Sequence, residues 1–130
     1  MRALLWILLG LVIGAFAAIS VANALQAGSA VHKGVMHLMK YHVGEARKVL
    51  TADSCKAAPT GHFEALAILS RDISPVYQPI GERDELFGQY AEKLVSVTAS
   101  APGAAQDCAT GKEQLGLINE RCSACHRDFK

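Results

Sequence analysis

The chain has 130 residues, 51% of them apolar, with 13 basic residues against 12 acidic ones. That length allows one small domain beside an N-terminal targeting segment. The near-zero charge balance, with no basic run and no interleaved aromatic pattern, excludes nucleic-acid binding.

Charge is unevenly spread along the chain. Arg2 is the only Lys, Arg, Asp or Glu before Lys33, so the rest of the sequence carries all 12 acidic residues and 12 of the 13 basic ones. Residues 3–19, ALLWILLGLVIGAFAAI, run apolar without a break. Ala22-Asn23-Ala24 is a small-x-small site where a signal peptidase cuts. Against cleavage, the apolar core exceeds the about 7–15 residues of a signal peptide. Residues 3–25 also pass the roughly 20 needed to span a bilayer. Residues 1–25 are thus read as a signal peptide or an uncleaved inner-membrane anchor, with Arg2 on the cytoplasmic side. Both readings place residues 29–130 in the periplasm as the folded domain.

The first helix of that domain is expected over residues 29–51. His32, Met36, Met39, Val43 and Leu50 recur on one stripe, and Val35, Leu38 and His42 widen it. No proline separates this segment from the apolar leader. Residues 51–61 hold turn residues, among them Asp53, Ser54, Cys55, Pro59 and Gly61. A second helix is expected over 60–73, with Thr60 as N-cap and Phe63, Leu66, Ala67, Leu69 or Ser70, and Ile73 facing inward. Pro75, Pro79 and Gly81 predict a turn over 74–81. A third helix, 83–99, offers Leu86, Phe87, Tyr90, Leu94 and Val97 to the core, and Ser100 to Gly103 breaks it. In the fourth, 104–129, Cys108, Leu115, Ile118, Cys122, Cys125 and Phe129 recur at sevens, threes and fours. Four helices with short connections and no strand signal predict an all-α, antiparallel up-down-up-down four-helix bundle behind an N-terminal apolar leader or anchor helix.

The fourth helix carries the chemistry. Cys122-Ser123-Ala124-Cys125-His126 is the Cys-x-x-Cys-His signature of covalent haem attachment. Two thiols one helical turn apart each add to a haem vinyl group, and the adjoining histidine is the proximal iron ligand. A redox dithiol of the thioredoxin kind is expected instead at the start of a helix in a βαβ pattern, and no strand precedes this one. With the first and fourth helices antiparallel, Met36 and His126 lie at similar depths from one bundle end. Met36 is therefore the expected distal residue. His32, one turn earlier, is a rival ligand or a polar contact at the haem edge, and Met39 is core filler beside the pocket. His37 and His42 are about 140° apart around the helix and are expected to be solvated or at an edge. His62 carries no signal. Cys55 and Cys108 form an even pair suited to a disulfide at the opposite bundle end. The other reading leaves Cys108 as a small buried residue with Cys55 exposed.

The closing CSACHRDFK resembles the end of class II c-type cytochromes, the cytochrome c′ and cytochrome c-556 group. HKGVMHLMKYHVG resembles that family's first helix, with Met36 on its distal position. The resemblance implies a four-helix bundle, one haem c, and Phe129 and Lys130 as the aromatic and basic residues that follow the motif. Together with His32 and Met39, these two are expected to line the haem pocket. It also implies a homodimer formed through the first two helices. His32-Lys33 stands where many relatives have an arginine-glutamine pair, and the stretch between the second and third helices lacks their tryptophan-rich and glycine-rich character.

Two functions follow from the resemblance. With Met36 bound to iron, the protein carries electrons to a periplasmic redox partner. With the sixth position open, it binds nitric oxide or carbon monoxide. No acid–base pair, Ser-His-Asp set or phosphate loop is visible, so no enzyme is expected.

Overall fold

A computed structural model describes residues 2–77 and 84–129, with the side chains of residues 2–5, 25–29 and 84 set aside. Among the described residues there are five helices and no strand: α1 (Arg2–Thr51), α2 (Thr60–Arg71), α3 (Ile73–Tyr77), α4 (Asp84–Ala104) and α5 (Cys108–Phe129). The chain divides into two units, Met1–Lys33 and Gly34–Lys130.

The first unit is apolar helix. Trp6–Ala24 is long and apolar enough to cross a membrane, and none of it is buried within the protein. Its serine is suited to that role. Ser20 donates its hydroxyl to the Phe16 carbonyl at 2.8 Å, which satisfies the group without water. The helical reading that began at residue 29 is corrected: helix runs unbroken from Arg2, because no proline interrupts residues 2–51.

The second unit has one apolar core. Val35, Met39, Ala46 and Leu50 supply it from α1, Phe63 and Leu66 from α2, and Ile73 from α3. Phe87, Ala91, Leu94 and Ala101 come from α4, Leu115 and Ile118 from α5, with Ala105 from the link between them. α4 packs on both α2 and α5. Residues 34–51 of α1 meet α2 through His42 and His62, and α5 through Arg47, whose Nη2 donates to Asn119 Oδ1 at 3.4 Å. α1 also approaches α5 closely at Gly111. A Cβ there would lie 2.8 Å from Leu50 Cδ2 and 3.3 Å from Ala58 Cβ. Beside this contact, Cys55 and Cys108 are joined by a disulfide.

Between α2 and α4 the core admits one polar pair. Ser70 and Thr98 are fully buried, with their hydroxyl oxygens 2.8 Å apart. Ser70 also reaches the Ala67 carbonyl at 3.1 Å, and Thr98 the Leu94 carbonyl at 2.9 Å. Every hydroxyl proton therefore has an acceptor, so burial carries no unpaired group.

Several boundaries differ from the sequence reading, each for a local reason. Thr60 does not cap α2; Pro59 holds the N-cap position, and no side chain bonds there. The second helix stops at Arg71, and Ile73 packs from α3 instead. Pro75 does not begin a turn. It sits in the first turn of α3, where a missing N–H costs nothing. α4 continues through Pro102 to Ala104 rather than breaking at Ser100. The lone proline falls in the last turn, while Ala101 and Ala105, at 0% and 1% exposure, hold that turn on the core. α5 starts at Cys108, four residues later than expected, because Asp107 caps it. Asp107 Oδ1 accepts from the Thr110 backbone N–H at 2.8 Å, and Thr110 Oγ1 accepts from the Asp107 N–H at 3.0 Å. Leu38 and Leu86, expected in the core, are about half exposed. Pro79, Gly81 and the expected start of the third helix at 83 lie outside the described residues.

Candidate functional site

The last two turns of α5 hold Cys122, Cys125 and His126. At 3.6 residues per turn these three positions span an arc of about 100°. Cys122 and Cys125 continue the line of Leu115 and Ile118 and are half-buried against the core, while His126 lies at the edge of that line and is exposed. Phe129, one turn beyond Cys125, returns to the core.

This end of α5 is fastened to α4 by aromatic contacts. The Phe129 ring meets Phe87 edge-on at 5.4 Å and Tyr90 at 5.9 Å. Phe87 in turn touches Tyr77 of α3 at 6.2 Å. Edge-to-face packing of this kind adds to plain area burial. The Tyr90 hydroxyl donates to Asp128 Oδ2, two residues from His126. The turn that carries the motif is thus held just after its histidine, at Asp128 and Phe129.

The two thiols are held in the protonated form. Burial pushes Cys122 up, with a further push from Cys125; burial and then Asp128 do the same to Cys125. A redox dithiol needs the opposite, a depressed thiol at a helix N-terminus. The local electrostatics therefore argue against thiol–disulfide exchange. They leave a pair of neutral thiols, one turn apart, facing apolar surroundings next to an imidazole. That donor set fits covalent haem attachment, with Cys122 and Cys125 as thioether positions and His126 as iron ligand.

Met36 lies on α1 within the second unit, half-buried against the same core that Cys122, Cys125 and Phe129 touch. Met39 is 5% exposed and is part of the core proper. His32 falls in the first unit, and Lys130 lies outside the described residues.

One pair of residues escaped the sequence reading. His42 Nδ1 and His62 Nδ1 are 3.0 Å apart, joining α1 to α2. His42 is thus at an edge rather than solvated, and His62, which carried no signal in the sequence, is its partner; both are half-buried. Burial, then the neighbouring His62, lowers the His42 pKa. Twenty residues separate the two, and no short-range pattern links them. His37 is exposed.

The chain matches no family model, no curated protein and no solved structure.

Proposed function

We propose that the protein is an exported c-type haem protein that carries single electrons. Cys122 and Cys125 hold one haem c, His126 is its proximal ligand and Met36 its distal ligand. The observation that carries this reading is the Cys-x-x-Cys-His sequence on the last turns of α5, with both thiols against the apolar core and Met36 on that core too. Haem supplies reversible one-electron chemistry, and a thioether ligand raises its potential. The residues around it bind, orient and exclude water: Phe129 packs at the motif, and Tyr90 holds Asp128.

The fold that accompanies this function is an antiparallel up-down-up-down four-helix bundle over residues 34–129, related to class II c-type cytochromes. The contacts of α4 with α2 and α5, and of α1 with both, support it, as does the closing CSACHRDFK. The apolar helix Trp6–Ala24 supports export, as a cleaved signal or as a tether to the inner membrane. The partner is a periplasmic redox protein, and the chain is a carrier rather than an enzyme.

Optical and EPR spectra of the purified ferric protein test the assignment, with carbon monoxide added after reduction. Low-spin iron with a sulfur-to-iron charge-transfer band, unreactive to carbon monoxide, is the expected result. High-spin iron that takes up carbon monoxide would replace electron transfer by gas binding at an open distal site. A protein with no covalent haem would end both readings.

A further inference from the structure

Among the described residues outside the Cys-x-x-Cys-His motif, two potential metal-ligating side chains from different helices meet. His42 from α1 and His62 from the first turn of α2 bring their Nδ1 atoms within 3.0 Å of each other, sharing a hydrogen bond in the metal-free protein. The Tyr41 ring stands edge-on to both, 5.2 Å from His42 and 6.4 Å from His62. Glu45, one turn after His42, is engaged by Lys48 Nζ at 2.6 Å and is not a ligand here.

The separation has a chemical meaning. Neutral imidazole binds zinc at about 2.0–2.1 Å, so two such nitrogens on one ion lie about 2.9 to 3.4 Å apart between square and tetrahedral geometry. The observed 3.0 Å falls in that interval. Both rings are only half-buried, so water reaches the remaining coordination positions. Among the described residues no third His, Cys, Asp or Glu completes a closed cluster. We propose that His42 and His62 form an open, two-imidazole site for a divalent transition-metal ion of the zinc or copper type, bridging α1 and α2. Late first-row ions favour imidazole over the carbonyl and water ligands that suit calcium or magnesium. The site is independent of the haem, since neither histidine belongs to the attachment motif. Its consequence is mechanical: the ion links the helix that follows the apolar leader to the next helix, and stabilises the folded chain in proportion to its occupancy.

Zinc titration of the purified full chain tests this, followed by competition with a chelating dye and by thermal unfolding. The wild-type protein is expected to bind one equivalent at this site and to unfold at higher temperature with zinc. His42→Ala and His62→Gln should each weaken that equivalent at least tenfold and abolish the thermal shift, with helicity by circular dichroism showing that both variants fold. His37→Ala, which removes an exposed histidine five residues away, should leave both readings unchanged. Absence of zinc binding by the wild type overturns the proposal. So does wild-type affinity retained in either variant, which would place the ion elsewhere.

Discussion

Tyr90 on α4 donates its hydroxyl proton to the carboxylate of Asp128 on α5, 38 residues away in sequence. The Asp128 carboxylate also raises the Tyr90 pKa, chiefly through that hydrogen bond. The bond ties down the turn that carries His126. Tyr90→Phe keeps the ring contact with Phe129 and removes only the tie. Amide hydrogen exchange over residues 125–129 should then speed up, with little change in the rest of α5. Unchanged protection there would show that the aromatic contacts alone hold the turn.

Phe87 is the ring on which that end rests, touching Tyr77 and Phe129 at 6% exposure. Phe87→Ala should cost about 3–5 kcal/mol, by lost burial and the cavity left behind. Denaturant unfolding measures it, and a loss below 1 kcal/mol would mean that the site collapses around the smaller side chain.

The Cys55–Cys108 disulfide closes a sequence separation of 53 residues. On the chain-entropy model a loop of that length contributes about 4 kcal/mol, because the unfolded chain loses freedom. Reduction, or Cys55→Ser with Cys108→Ser, should therefore lower the unfolding midpoint markedly. A midpoint that does not move would show that the reduced chain is already restrained.

Asp107 sets a pH dependence of known sign. Hydrogen bonds from the Thr110 backbone and side chain hold its carboxyl below the usual aspartate range. Its folded pKa lies below the unfolded one, so its contribution is complete above the unfolded value and is lost as pH falls through the folded value. Asp107→Ala should thus lower the unfolding temperature at neutral pH, and the gap from wild type should close in acid. A gap independent of pH would mean that the cap acts without its charge.

Gly111 of α5 packs against Leu50 of α1 with no room for a Cβ. Gly111→Val should destabilise by about 1–3 kcal/mol through overpacking against buried Leu50 and Ala58, despite the better helix propensity of valine. Urea unfolding decides it, and a stabilised variant would show that Leu50 has room to turn aside.

Much was legible in the chain itself, for reasons local to each helix. The stripe of Met39 and Leu50 in α1, and the line of Leu115, Ile118, Cys122, Cys125 and Phe129 in α5, follow from 3.6-residue periodicity, and all of these side chains pack on the core. The Cys-x-x-Cys-His spacing is local too, since one turn of helix brings its three side chains to one side. The start of α5 was not legible in the same way: the SAPG stretch placed it at 104, whereas the Asp107 and Thr110 cap sets it at Cys108.

Tertiary structure decided the rest. A helix period says which residues share a face, but not how far that face is turned toward its neighbours. Leu38 and Leu86 fit the periodic pattern and are nonetheless half exposed, while Ser70 is buried because Thr98 stands opposite to share its proton. Pro102 is held in helix by the burial of Ala101 and Ala105, which outweighs its local preference to stop. His42 and His62 meet only because α1 and α2 pack at that register. Such pairings depend on the rotation of one helix against another, and that rotation is fixed by the whole core at once.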